Sequence, residues 1–163
     1  MRLSVDTGGR TAVSYPSVAA VASGMEEGKE HMRGKQVLEN ADAVAIMAAA
    51  KAESLKNGWG VSIVVVDDGG LLLAAERLDG AAPITMRNAC EKARTAALFR
   101  RPSKLFEDMA KEHPAFLSLE LQIIAGGVPI FAQGECVGAV GVSGVTREGD
   151  VQVAEAGAAA IAG

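Results

Sequence analysis

Three charged residues stand where a polar side chain is unusual, and their types suit the binding of an acid. Arg77 alternates with Ala75 on one face of a predicted strand, and Asp79 follows two residues later. Lys92 lies beside Ala89 at the edge of a small-residue helix face. A guanidinium matches a carboxylate with two parallel hydrogen bonds, and Lys or Asp can move protons. The alternative is a structural ion pair between Asp79 and Arg77 or Lys92.

The histidines and cysteines give few other reactive groups. The chain has His31, His113, Cys90 and Cys136 and no others of these two types. No C-x-x-C or H-x-x-x-H spacing occurs, so the sequence predicts no structural zinc site. His113 precedes Pro114 in a loop-like stretch, where an imidazole is a candidate for iron ligation or for acid–base chemistry near neutral pH. The other interpretation is a solvated loop histidine.

Glycines recur every third residue near the end of the chain. Gly138, Gly141 and Gly144 lie in and after a predicted strand that also carries Ser143. The spacing is neither G-x-G-x-x-G nor a P-loop, and Ser143 is not in a G-x-S-x-G turn. Glycine inside a strand indicates close approach of another group. That group is either a tightly packed helix or a planar ligand on a flat surface.

The elements that position these residues are predicted to be two β-hairpins and the helices around them. The residues Asp-Asp-Gly-Gly at 67–70 are typical of a tight turn. Gly134 as the first residue of a two-residue loop predicts a second turn, of type II′. Helices are predicted over 37–55, 83–99, 103–111 and from a cap at Asp150 to 161, and strands over 61–66, 71–78, 128–132 and 136–142. The order α-β-β-α-α-β-β-α predicts an α+β fold with an antiparallel sheet flanked by helices.

One apolar stripe marks the first of these helices. Its members recur at helical spacing and are expected to face the core. They are Val37, Ala41, Val44, Ala48, Ala52 and Leu55. Residues 1–36, by contrast, show no sustained period and are predicted to form an irregular arm before a domain at 37–163.

Composition narrows the classes of partner. With 163 residues, a net charge of −4 and 4% aromatic residues, the chain does not resemble a nucleic-acid-binding protein. Its longest uncharged runs are too short and too polar to span a membrane. A signal peptide over 11–23 would need a basic, uninterrupted segment, so we expect a cytoplasmic protein, with secretion as the alternative.

Five sequence blocks occur together in an order that resembles a known family. They are VDDGGLL at 66–72, RLDGA at 77–81, KARTA at 92–96, GGVPI at 126–130 and VGAVGVSG at 137–144. This pattern resembles the GlcG/HbpS family of haem-binding or haem-degrading domains, which is related to the C-terminal domain of PduO-type corrinoid adenosyltransferases. Arg94 departs from the aromatic residue often found at its place. The resemblance implies a profilin-like fold. It also implies that the chain forms a homo-oligomer, either a tetramer or an octamer.

Two functions follow as hypotheses. In the first, the protein binds haem or a related tetrapyrrole and assists its degradation. The ligand would lie against Gly138, Gly141 and Ser143, with Arg77 and Lys92 near its propionates and His113 on the iron. In the second, a cytosolic lyase, hydratase or isomerase acts on a small carboxylate. There Arg77 binds the carboxylate, and Lys92 or Asp79 moves protons.

Overall fold

The computed structural model describes residues 2–5, 11–14, 33–118 and 122–161 of the chain. The chain divides into two compact units, Met1–Lys35 and Gln36–Gly163. In the first unit, strands β1 (Arg2–Val5) and β2 (Thr11–Ser14) pair antiparallel. The prediction of an irregular arm is therefore wrong for these two segments. Each is short but contains β-branched residues, which favour extended pairing.

The second unit is built on a four-stranded antiparallel sheet. Its strands are β3 (Ser62–Asp67), β4 (Leu72–Arg77), β5 (Gly127–Ala132) and β6 (Glu135–Ser143). Their order across the sheet is β4–β3–β6–β5, so the two hairpins meet at β3 and β6 in the centre. Positions 63–66 of β3 are all β-branched and lie on both faces, which suits a strand covered on both sides.

Helices cover both faces of this sheet. They are α1 (Asn40–Lys56), α2 (Ile84–Phe99), α3 (Ser103–Glu112) and α4 (Arg147–Ala158), with a 3₁₀ helix at Pro114–Ser118. Val65 and Val140 pack in one cluster with α1 and α4, whereas Val64 and Ala139 pack with the alanines of α2. The predicted α+β class and element order are confirmed. Within the described residues, no helix is long and apolar enough to cross a membrane.

Helix α1 turns a different face to the core from the one that its apolar stripe predicts. The buried residues are Ala43, Ile46, Ala50 and Ser54. Val44 and Leu55 are 59% and 62% exposed. The prediction is wrong because α1 is rich in alanine all round, so the pattern has almost no directional bias. The face that carries Ile46 and Ala50 packs because α4 lies against it, where Gly157 approaches both residues.

The turn between β5 and β6 also differs from its prediction. Ala132 pairs with Glu135, so the two-residue loop is Gln133-Gly134. Both residues have positive φ, 49° and 81°. Positive φ at both central positions defines a type I′ turn, whereas type II′ needs it only at the first. The glycine is thus the second loop residue, and the register of the hairpin is shifted by one position from the prediction.

Candidate functional site

Lys92 lies inside the protein and is held by an ion pair. Its side chain is 4% exposed, and its Nζ donates to Asp150 Oδ2 at 2.7 Å and to the Val142 carbonyl at 3.0 Å. The other carboxylate oxygen of Asp150 accepts the Val145 N–H at 3.1 Å. Burial raises the pKa of the Asp150 carboxyl, while the bond to Lys92 opposes this shift. The pair joins α2 to α4 across the end of β6.

This pair corrects two predictions. The partner of Lys92 is Asp150, not Asp79. Asp150 is not the cap of α4, because the Thr146 side chain accepts the Gly149 N–H in that role and the helix begins at Arg147. With its Nζ committed to Asp150 and Val142 and closed off from solvent, Lys92 is not placed to contact a propionate.

Gly138 and Gly141 do not form one open surface. Side chains alternate between the two faces of a strand, and the register of β6 on β3 is unbroken from Gly138 to Ser143. Gly138 therefore faces Leu38, and Gly141 faces α2. A Cβ at Gly141 would lie 2.1 Å from the Ala89 carbonyl oxygen, and one at Gly138 would lie 2.3 Å from that of Val66.

Protein atoms thus occupy the space that a planar ligand would need. Ser143 shares the face of Gly141 and is also buried. The geometry favours the helix-packing interpretation, and the predicted flat ligand surface along Gly138, Gly141 and Ser143 is replaced by contact with α2 on one side and with Leu38 on the other.

The segment 122–127 before β5 is fixed by side chains of two helices. Thr95 Oγ1 donates to the Gln122 carbonyl at 2.8 Å, and Ser103 Oγ donates to the Ile124 carbonyl at 2.8 Å. Glu107 accepts the Ala125 N–H at 2.8 Å and pairs with the Arg147 Nε at 2.7 Å. The bonds to the Gln122 and Ile124 carbonyls and from the Ala125 N–H satisfy backbone groups outside the strands, so these contacts fix the position from which the GGVPI block enters the sheet.

A groove of about 440 Å³ lies between α3 and α4 beside this segment. Three basic residues line it, and each is paired within the protein: Arg147 with Glu107, and Lys104 and Lys111 with Asp108. The two lysines hold the pKa of Asp108 at about 2. Four carboxylates line the groove together with these three cations, so its lining has no excess of positive charge that would attract an anion.

Arg77 and Asp79 line a second groove, of about 320 Å³. It lies where the end of α1 faces the end of β4, and Trp59 forms part of its wall. Both Arg77 and Asp79 are exposed, and neither side chain has an ion pair or hydrogen bond within the described part of the chain. The structure thus brings Arg77 and Asp79 to one groove, which Lys92 does not line. The predicted Arg77–Asp79 ion pair is not formed.

His113 ends α3 beside a group of aromatic rings. Its imidazole is exposed, and its backbone N–H donates to the Met109 carbonyl at 2.8 Å. Phe106, two helical turns earlier, packs on Phe99 and Phe116 at ring-centroid distances of 4.4 and 6.4 Å. His113 lines neither groove. In the described residues no group of three or more His, Cys, Asp or Glu could hold a bare metal ion.

The cysteines offer no reactive centre. Cys90 is half-buried and Cys136 is buried, and both are free thiols. Burial raises the pKa of both thiols, which keeps them protonated near neutral pH.

Comparison with known proteins identifies the relatives of this arrangement. The family model described as haem degrading protein HbpS-like matches residues 38–159. The chain belongs to the HbpS-like family. The match covers the whole sheet and all four helices, so the resemblance read from the five blocks is confirmed.

Individual members agree with this assignment. The protein GlcG of Escherichia coli strain K12 is 49% identical over 114 residues, which are 69% of this chain and 85% of GlcG. The crystal structure of HbpS superposes with a TM-score of 0.76 at 30% identity, over 84% of this chain and 99% of HbpS. The structure of the PduOC–haem complex has a TM-score of 0.71 at 23% identity, over 77% and 96%, and shows a shared fold.

Sequence reasoning missed three residues that organise these sites. Asp150, Glu107 and Trp59 hold or line the three regions described above. A signal for Asp150 was available, because Asp150, Val153, Ala154 and Gly157 recur at helical spacing and form the buried face of α4. An acidic residue on such a face needs a buried cation. Nothing local in the sequence distinguishes Glu107 from other helix-surface acids.

Proposed function

We propose that this protein binds haem or a related tetrapyrrole, with His113 as the protein ligand to iron. The observation that carries the proposal is the family match over residues 38–159, since that family is described as haem-degrading. The HbpS fold at 30% identity supports it. Assistance in the breakdown of haem is the finer part of the proposal and rests on the family description alone.

The surroundings of His113 fit such a ligand. Haem brings four nitrogen ligands of its own, so it needs one or two side chains from the protein rather than a cluster. His113 supplies an accessible imidazole, and Leu117, in the 3₁₀ helix that directly follows His113, is 70% exposed. An apolar ring gains free energy by covering such surface. When bound, haem supplies iron redox chemistry; His113 would hold it in place, and the aromatic group would shield one side from water.

We expect His113→Ala to weaken haem binding by at least about tenfold and to shift the Soret band. The matched control is His31→Ala, because these are the only two histidines of the chain. Absorbance titrations of haem into the wild type and both variants give the comparison. Wild-type behaviour of His113→Ala, or equal loss in both variants, would remove His113 as the ligand. Slower or equal Soret loss under air and ascorbate, relative to free haem, would remove the degradation part.

The alternative enzyme on a small carboxylate has less support. That hypothesis needs Arg77 beside a group that moves protons. Lys92 does not serve as this group, because it is buried in the ion pair with Asp150. Asp79 does share the groove with Arg77, but its side chain is exposed to solvent.

We also propose that the chain assembles as a tetramer or octamer. The exposed stripe of α1 supports this, since Val44 and Leu55 are 59% and 62% exposed and Ala48 and Ala52 between them are also exposed, so that α1 presents an apolar face to solvent. Light scattering is expected to give a mass near four or eight times 16.7 kDa. Val44→Glu is expected to lower that mass, and Lys111→Glu on α3 is not. A single-chain mass for the wild type would contradict assembly.

A cytoplasmic location stays a prediction.

A further inference from the structure

The groove between the end of α1 and the end of β4 combines two available charges of opposite sign with an indole ring. Lys51 and Glu76, which also line it, pair with each other at 2.6 Å. Arg77 and Asp79 have no such partner in the described part of the chain. The groove therefore presents one free cation and one free anion on the same wall.

We propose that this groove binds a small zwitterion, an amino acid with an apolar side chain. A guanidinium binds a carboxylate through two parallel hydrogen bonds, which assigns the ligand carboxylate to Arg77. A carboxylate accepts charge-assisted hydrogen bonds from an ammonium group, which assigns the ligand amine to Asp79. A ligand with one charge alone leaves one of the two residues without a partner.

The remaining wall suits an aliphatic side chain. Trp59 is half-buried, Leu78 is buried, and Leu55 stands exposed at the rim. A volume of about 320 Å³ lies at the lower end of the range of ligand sites, roughly 300–1,000 Å³. The groove therefore fits a ligand of amino-acid size, and it is separate from the surface around His113.

The backbone fixes the wall that carries these groups. Ser54 Oγ donates to the Trp59 carbonyl at 2.6 Å, which holds the loop after α1. Gly60 then passes so close to the chain after β4 that a Cβ would lie 2.7 Å from the Asp79 carbonyl oxygen. Trp59 and Asp79 are thus held at a set spacing without the ligand, which lowers the ordering cost of binding.

Trp59 is the only tryptophan of the chain, so its fluorescence reports on this groove. The probes are L-leucine, 3-methylbutylamine, which lacks the carboxylate, and 4-methylpentanoate, which lacks the amine. L-leucine is expected to change the emission saturably and to bind at least about tenfold more tightly than either single-charge probe. No saturable change with L-leucine, or equal affinity for all three probes, would overturn the proposal.

Substitutions at two exposed residues distinguish the role of the Arg77 charge from that of the Asp79 charge. Arg77→Gln is expected to reduce the affinity for L-leucine and 4-methylpentanoate, and Asp79→Asn to reduce that for L-leucine and 3-methylbutylamine. Arg87→Gln, an exposed change on α2 outside the groove, is the matched control. If Arg87→Gln weakens binding as much as Arg77→Gln, the groove is not the site. His113→Ala is expected to leave L-leucine binding unchanged, so a failure of haem binding and a failure of this proposal are distinguishable.

Discussion

Replacing Lys92 by methionine is expected to lower the free energy of unfolding by about 3–5 kcal/mol at pH 8. The substitution keeps most of the side-chain volume but leaves Asp150, 4% exposed, without the cation that compensates its burial. It also removes the donor that serves the Val142 carbonyl. Urea unfolding followed by circular dichroism measures the change.

The loss is expected to be smaller at pH 5. In the wild type, burial raises the pKa of Asp150 and the bond to Lys92 opposes that shift, so the variant raises this pKa further. A carboxyl whose folded pKa lies above its unfolded value favours the folded state at low pH, and that stability is lost as the pH rises through the folded pKa. The variant should therefore regain stability on acidification relative to the wild type.

Two further variants test whether the ion pair is the cause. Lys92→Met with Asp150→Asn removes both charges and keeps an acceptor for the Val145 N–H, so it is expected to recover much of the loss. Lys51→Met breaks the pair with Glu76, in which both side chains are 40% exposed, and is expected to cost less than about 1 kcal/mol. A Lys92→Met variant no less stable than Lys51→Met would show that the buried pair contributes little.

Gly141→Ala is expected to destabilise the protein by about 3 kcal/mol, which corresponds to a fall of roughly 6–12 °C in Tm. The added methyl would meet the backbone of α2 at Ala89 and Ala93, at 2.1 and 2.6 Å. A helix backbone cannot rotate away as a flexible side chain can, so either α2 or β6 must move. Thermal unfolding by circular dichroism measures the shift.

The control for this substitution is Gly34→Ala. No atom lies within 4 Å of the Cβ that it would add, so its Tm is expected to remain within about a degree or two of the wild type. If Gly141→Ala were as stable as this control, α2 would not pack on β6 as closely as the contacts indicate. Gly141 would then have room for a ligand beside it.

The parts of the fold that were predictable are those with local signals. Turn residues such as Asp67 and Gly70 mark the first hairpin: Asp67 Oδ1 accepts the N–H groups of Gly69 and Leu71, and Gly70 has a φ of 77°. The run of β-branched residues at 63–66 predicts the central strand β3. These signals act within a few residues, so sequence alone carries them.

The orientation of elements was harder to predict. Val44 and Leu55 mark an apolar stripe, yet α1 buries Ala43 and Ala50 instead, because α4 offers Gly157 as a close neighbour there. Which face of an alanine-rich helix is buried depends on the partner element, and its own period does not reveal that.

The candidate sites were only partly predictable for the same reason. Arg77 and Asp79 are two residues apart, so their proximity is local, and the structure places both on one groove without the ion pair between them. Lys92 finds its partner 58 residues away at Asp150, and such a pairing depends on the packing of α2 and α4 against the sheet. The planar-ligand interpretation needs Gly138 and Gly141 on one surface, whereas their odd spacing puts them on opposite strand faces and the structure favours the packed-helix interpretation.

The most direct test of the proposed function is an absorbance titration of haem into the wild-type protein in its native assembly. We expect a saturable, red-shifted Soret band with a defined ratio of haem to chain, and a difference spectrum that is absent from an unrelated protein of similar charge. A linear rise in absorbance with no band shift, up to an excess of haem over chain, would contradict haem binding by this protein.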